Sequence, residues 1–170
     1  MTYMFRQLLV AIDDTASAPV TLSFATALAR GEGSTLHVLH ANRVVVGGRG
    51  TTELTDVEAI ALVDTAVLQL LEAGVDATGT VCRATSYSIG QVIAEEARSR
   101  QCDAIVIGSH RPTRRSRLAH PFGRGARERI IRHSTLPVLT APAPLQVPGG
   151  RRRGASGIRS VRPSRSAVTR

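Results

Sequence analysis

The sequence predicts an α/β protein built on a doubly wound, parallel, five-stranded sheet with helices on both faces. Short apolar runs alternate along the chain with segments whose apolar residues recur at helical spacing. The run at 104–107 is apolar without alternation, as expected for a strand covered on both faces, and the run at 7–12 is also expected to be a buried strand. The predicted strands are 7–12, 35–41, 75–83, 103–108 and 136–141, and the predicted helices are 17–30, 54–73, 89–100 and a segment from 126 onward.

Local signals set the order of these elements. The turn Asp13-Asp14-Thr15 follows the first strand and supplies polar side chains and a helix cap, for which Asp14 is the candidate. The segment Gly31-Glu32-Gly33 is expected to stop the first helix after Arg30, and Gly74 is expected to end the second. In the last helix, Ile130 and Ile131 are expected to belong to one buried stripe. Pro137 opens the fifth strand, where an edge strand tolerates it.

Length and composition predict one domain with an extension. At 170 residues the chain can build one core, and with 3% aromatic residues that core must be aliphatic. We expect residues 1–144 to form the domain and residues 145–170 to be a disordered tail. No apolar run is long enough for a membrane span or a secretory signal, so we expect a cytoplasmic protein. Cys82 and Cys102 do not form a CxxC pair and are expected to be buried free thiols.

Positive charge is concentrated in two segments. The formal net charge is +9, and all 22 basic residues are arginine. Seven arginines and no acidic residue follow Pro148, while eight arginines lie between Arg111 and Arg132 against one acid, Glu128. The tail is expected to bind polyanions weakly and without sequence preference. A solubilising extension is the commoner role of a charged terminus, and it stays open as the alternative.

The loop after the fourth strand is the candidate site. In open parallel sheets the ligand lies at the carboxyl ends of the strands, where the strand order reverses. If the first strand is central, Asp13 and Gly108 face each other across that crevice. A loop that runs from a strand into a helix presents unpaired backbone N–H groups and a positive dipole end, which suit phosphate. His37 and His40 lie three apart on a strand, face opposite sides and are expected to be structural.

Several stretches resemble the universal stress protein family, in the family's order and across residues 6–141. The resemblance rests on LLVAIDD, ALARGEG, TLHVLHA, AEEARSRQCDAIVIGSH and RERIIRHSTLPVL. It implies the strand order 3-2-1-4-5 in a Rossmann-like sheet and a cytoplasmic homodimer. In one branch of the family it also implies bound ATP.

The ATP-binding branch contains the motif Gly-x2-Gly-x9-Gly-[Ser/Thr] after the fourth strand. This chain keeps Ile107 and Gly108 but has Arg111 at the second glycine, and Gly123-Arg124 stands for the later Gly-Ser. An alternative register places Gly125 at the serine position. An arginine before Pro112 favours extended backbone, so the phosphate end must differ from the family's, with arginine side chains as its candidate ligands.

This chain keeps the residues that match the nucleoside contacts of the family. Asp13 matches the family's aspartate for the nucleoside, and Ala41 matches its small apolar residue at the base of the site. The resemblance therefore implies nucleotide binding by Asp13, Ala41, Ile107, Gly108, Arg111, Gly123, Arg124 and Gly125, with no catalytic residue. Asp13 and Asp14 could also hold Mg²⁺ beside a triphosphate.

Three function classes follow. The favoured one is a stress-response regulatory protein that binds an adenine nucleotide, ATP, without strong catalysis. The alternative is a nucleotide-free dimeric interaction module whose Arg-rich loop and tail bind an acidic partner or nucleic acid. In both, the fifth strand is the expected dimer contact. The third class is an enzyme that cleaves ATP to AMP and pyrophosphate. It is disfavoured, because such enzymes carry a Ser-Gly-Gly-x-Asp-Ser loop after the first strand, whereas residues 13–16 contain no glycine.

Overall fold

The computed structural model describes residues 4–44, 52–109 and 125–143. These residues form a five-stranded parallel sheet in the order β3-β2-β1-β4-β5, with helices on both faces. The predicted fold class and strand order are confirmed. In chain order the elements are β1 (Gln7–Ile12), α1 (Ala18–Glu32), β2 (Thr35–Arg43), α2 (Asp56–Glu72), β3 (Ala77–Ala84), α3 (Ile89–Ser99), β4 (Ala104–Ile107), α4 (Gly125–His133) and β5 (Val138–Thr140).

β1 is the central strand and is covered on every side. It pairs with β2 on one edge and with β4 on the other, so that Leu8 lies opposite both Leu36 and Ala104. Leu8, Leu9 and Val10 have no exposed surface. The absence of polar alternation in this strand follows because helices cover both of its faces.

The strand period of two divides the interior into two cores. One core lies under α1 and α2, and the other lies under α3 and α4. Leu8, Val10, Leu36 and Val38 point into the first. Leu9, Leu39, Ile105 and Ile107 point into the second.

Asp103 joins the amino ends of the two central strands. Its Oδ2 accepts hydrogen bonds from the backbone N–H groups of Arg6 at 2.6 Å and Gln7 at 2.9 Å. Because Asp103 directly precedes β4, these bonds set the alignment of β1 against β4. In the described ranges, no helix is both long enough and apolar enough to cross a membrane.

The ends of the helices differ in part from the predictions. The N-cap of α1 is Ser17, which makes no side-chain capping bond, and Asp14 does not cap the helix. The carboxylate that organises this turn belongs to Asp13 instead. Gly33 ends α1 with φ +67°, and Gly74 follows α2 with φ +76°, conformations in which a Cβ is strained.

The buried stripe of α4 is narrower than predicted. Ile130 is 5% exposed, whereas Ile131 is 53% exposed, because neighbouring positions on a helix differ by about 100° and only one can face the sheet. Both cysteines are free, as predicted. Burial raises the pKa of the Cys102 thiol to about 11 and also raises the pKa of Cys82, which is only partly buried.

The two histidines of β2 lie on opposite faces of the sheet, as predicted. His40 donates from Nδ1 to the carbonyl oxygen of Ile12 at 3.1 Å. His37 is fully buried on the α3 side, with Nδ1 2.8 Å from Thr78 Oγ1 and Nε2 3.1 Å from Glu96 Oε1. Burial is the main cause that lowers the pKa of His37, followed by the charge of Arg100, and Glu96 offsets part of that shift.

This lowered pKa predicts a loss of stability in mild acid. The unfolded chain takes up a proton near pH 6.5, whereas the folded protein resists it, so the stabilisation is full above pH 6.5 and falls as the pH drops towards the folded pKa. Urea unfolding from pH 8 to pH 5 should show this loss, with a slope for one group of at most about 1.4 kcal/mol per pH unit. His37→Gln should flatten the slope, and parallel pH profiles of the variant and the parent would contradict this origin.

Candidate functional site

The carboxyl ends of β1 and β4 bring Asp13 and Gly108 to one edge of the sheet. β1 ends at Ile12 and β4 ends at Ile107, and the two strands pair side by side with Ala11 opposite Ile107. Asp13 and Gly108 are the residues that directly follow them. The strand order reverses between β1 and β4, so the two residues flank the crevice that the sequence predicted.

The Asp13 carboxylate has a fixed orientation. Its Oδ1 accepts hydrogen bonds from the N–H of Thr15 at 3.2 Å and from the Thr15 hydroxyl at 2.6 Å, and Ser17 Oγ lies 3.5 Å away. Asp13 is exposed, and its Oδ2 makes no hydrogen bond to any described residue. The turn therefore presents one oriented carboxylate oxygen that can accept a hydrogen bond from a ligand.

Gly108 is a glycine because α1 packs against it. A Cβ at this position would lie 2.8 Å from Thr21 Oγ1 and 3.4 Å from Ser17 Oγ. Thr21 is buried, and its hydroxyl donates to the carbonyl oxygen of Ser17 at 3.0 Å, so it cannot easily move away. Ser17 is thus a neighbour of both Asp13 and Gly108, a role that the sequence reasoning missed.

Ala41 and Ile107 lie on the face of the sheet covered by α3 and α4. Ile107 is buried in that core and Ala41 packs against it half-buried. A shallow cavity of about 200 Å³ lies on the other face, between the Asp13 turn, α1 and α2, and its lining includes neither Ala41 nor Gly108. Asp13 lines this cavity, whereas Ala41 lies on the other face of the sheet. The two predicted nucleoside residues therefore do not share the cavity.

α4 is held against the amino end of α3. A Cβ on Gly90 would lie 2.6 Å from the carbonyl carbon of Arg129, so only glycine allows the two helices to come this close. The Arg129 guanidinium lies 5.5 Å from the centre of the Tyr87 ring and donates to the carbonyl oxygen of Ser86. The sequence reasoning did not find these contacts, which position the helix that begins at Gly125.

The remaining predicted site residues are only partly described. Gly125 is the first residue of α4. Arg111, Gly123 and Arg124 lie outside the described residues, so their role as phosphate ligands stays a prediction. Within the described ranges, no group of three or more His, Cys, Asp or Glu side chains is arranged to hold a metal ion.

Comparisons with known proteins agree with this fold. The model of the universal stress protein family matches residues 4–142. No curated protein matches the chain in sequence.

Three solved structures illustrate the similarity. A universal stress protein from Archaeoglobus fulgidus, in complex with dAMP, has 23% identity and a TM-score of 0.60, covering 82% of this chain and 99% of that one. A family member from Arabidopsis thaliana with AMP bound has 14% identity and a TM-score of 0.60, covering 82% and 93%. A universal stress protein in complex with cAMP has 18% identity and a TM-score of 0.58, covering 81% and 97%. At these identities the likeness concerns the fold.

The packing of α1 on Gly108 predicts the cost of adding a methyl group there. Gly108→Ala should lower the free energy of unfolding by about 1–3 kcal/mol, because the new Cβ meets the hydroxyl of Thr21. Adding Thr21→Ala removes that hydroxyl, so the double variant should be more stable than the sum of the single changes predicts. Chemical denaturation of the four proteins measures this coupling, and simple additivity would contradict the contact.

Proposed function

Because the chain belongs to the universal stress protein family, we propose that it is a stress-response regulatory protein that binds an adenine nucleotide, without strong catalysis. The proposed site lies at the carboxyl ends of β1 and β4. The oriented Asp13 carboxylate is the main observation in its support, because Oδ1 is occupied by the turn while Oδ2 has no hydrogen-bond partner among the described residues. The cytoplasmic location is proposed with it, on the family resemblance.

The ligand class is proposed from what the similar structures have in common. The three relatives contain dAMP, AMP and cAMP, which share adenine and one phosphate. We assign the nucleoside to Asp13 and Ala41, since an amino or hydroxyl group of the nucleoside can donate to Asp13 Oδ2. ATP belongs to the same proposed class. Mg²⁺ would accompany the triphosphate only, beside the exposed carboxylates of Asp13 and Asp14.

The phosphate end of the site is proposed to use arginine side chains. Arg111 replaces a glycine of the family motif and Arg124 replaces its serine or threonine. Guanidinium groups bind phosphate in a bidentate manner, but ordering a long side chain costs entropy. We therefore expect weaker binding than in relatives that keep the complete glycine motif.

Asp13→Asn tests the nucleoside contact with little change to the fold. The asparagine oxygen can still accept from Thr15, but the atom in the place of Oδ2 becomes an N–H₂ donor instead of an acceptor. The affinity for AMP, measured by calorimetry without Mg²⁺, should fall about tenfold to a hundredfold, as expected for one hydrogen bond to a charged group. Asp64→Asn, which removes an exposed carboxylate from α2, is the matched control and should bind AMP like the parent.

A nucleotide-free interaction module is the second candidate. One observation favours it: α1 packing accounts for Gly108 without any ligand, so this glycine is not by itself a sign of a phosphate cradle. Analysis of nucleotide released from the purified protein by heat separates the two candidates. If neither released nucleotide nor a rise in melting temperature is found with ATP, ADP, AMP, dAMP or cAMP, the interaction module is the better account.

We also propose that the protein forms a homodimer through β5. Ile105 N donates to Pro137 O at 2.9 Å and Ala141 N donates to Ile107 O at 2.8 Å. Backbone groups alternate in direction along a strand, so the N–H groups of Val138 and Thr140 point away from β4, towards the open edge. Pairing with a second copy would satisfy this edge and remove an aggregation hazard.

Val138→Pro should give monomers. It removes an outward N–H that the dimer contact needs and leaves the bonds between β4 and β5 intact. Light scattering at micromolar concentration measures the change. Thr140→Val keeps the N–H and should remain dimeric, whereas a monomeric parent protein would contradict the proposal.

A further inference from the structure

The outer side of α2 contains an apolar stripe that no described residue covers. Val57 is 77% exposed, Ile60 51%, Leu68 60% and Leu71 47%, and these are four of the seven large hydrophobic residues exposed in the described ranges. Their spacing places them on one side of the helix, together with Asp64, while Ala59, Val63, Ala66 and Leu70 face the core. We call the residues Val57, Ile60, Asp64, Leu68 and Leu71 the α2 outer face.

The charged residues of α2 are all negative. α2 contains Asp56, Glu58, Asp64 and Glu72 and no basic residue. Asp56 is paired with Arg83, and Glu58 belongs to the capping box of the helix. Asp64 and Glu72 are exposed and make no ion pair with any described residue. An occupant of the α2 outer face should therefore be basic and partly apolar.

A second copy of α2 does not meet this requirement. Two such helices packed across a two-fold axis would place one acidic face against another, and like charges repel. The strongly basic segment of the same chain does meet it. Residues 145–170 contain seven arginines and no acid, and Ile158 and Val161 stand between arginines in the run Gly-Ile-Arg-Ser-Val-Arg.

The tail is long enough to reach α2. Ala143, the last described residue, follows β5, and four strand spacings of about 4.8 Å separate β5 from β3, roughly 19 Å in all. The stretch from Ala143 to Ile158 can span about 50 Å when extended. Because both segments belong to one chain, the effective concentration is about millimolar, so a contact too weak to hold separate molecules is sufficient.

We propose that residues 151–165 of the tail dock on the α2 outer face of their own chain. Ile158 and Val161 then lie on the apolar stripe, and the flanking arginines lie near Asp64 and Glu72. This contact covers the stripe and competes with any polyanion for the tail. It does not depend on nucleotide binding, because no residue of the α2 outer face lines the cavity beside the Asp13 turn.

A zero-length cross-link on the full chain tests the proposal, since the sequence contains no lysine. Arg159→Lys introduces the only side-chain amine, and carbodiimide joins it to a carboxylate within contact distance. Peptide mass spectrometry of the monomer fraction should find the link on Asp64 or Glu72 at least about fivefold above the mean of the 13 carboxylates. Raising the salt from about 0.1 M to about 1 M, which shortens the Debye length from about 10 Å to about 3 Å, should abolish the enrichment.

Matched variants identify the surface. Leu68→Ser with Leu71→Ser, which keeps both acids but removes the apolar contact, should remove the enriched link. Glu95→Gln, an equally exposed change on α3 across the sheet, should leave the link unchanged. Links spread evenly over the carboxylates, or concentrated on Asp13 and Asp14, would overturn the proposal. Links found only between two chains would assign the face to a second copy and overturn it as well.

Discussion

The burial of β1 between β2 and β4 is the constraint on which the other features depend. Its two faces can be covered only if the crossover helices lie on both sides of the sheet, so the chain must wind in both directions from this strand. The reversal opens a crevice at the carboxyl ends of β1 and β4. Asp103 sets the alignment at the opposite end by holding the first residues of β1.

In this crevice, Gly108 has two roles, one in helix packing and one in the proposed ligand binding. Gly108 lets α1 approach β4 closely, and in the proposed function the same absence of a Cβ leaves room beside a ligand. Stability and binding can be separated here, because Thr21→Ala relieves the clash with α1 while the Cβ added by Gly108→Ala stays in place. A double variant that regains stability but not nucleotide affinity would mean that the ligand also needs the glycine.

The two helical layers present different surfaces. The α3 and α4 layer is joined by close contacts at Gly90 and Arg129, and Glu96 of α3 contacts the buried His37 of β2. The α2 side presents apolar residues and acids to the outside. The proposed dimer contact uses neither layer, because it lies at the β5 edge of the sheet.

The sequence by itself determined the elements and the fold class. β1 occupies residues 7–12 as predicted, and apolar runs and helical spacing located the other strands and helices to within a few residues, because these signals are local. The resemblance to a family added the strand order and pointed to Asp13 and Gly108. It also pointed to Ala41, which lies in a strand that extends two residues beyond the prediction, to Arg43.

Only the tertiary structure decided which partners those residues have. The bond between His37 and Glu96 joins positions 59 apart, and the packing of Thr21 on Gly108 joins α1 to the end of β4. A periodic pattern tells which residues share a face but not which element covers it. For that reason Ile131 and the α2 outer face, apolar in sequence, are exposed, while Ile130 is buried. Contacts between distant segments depend on the packing of the whole chain.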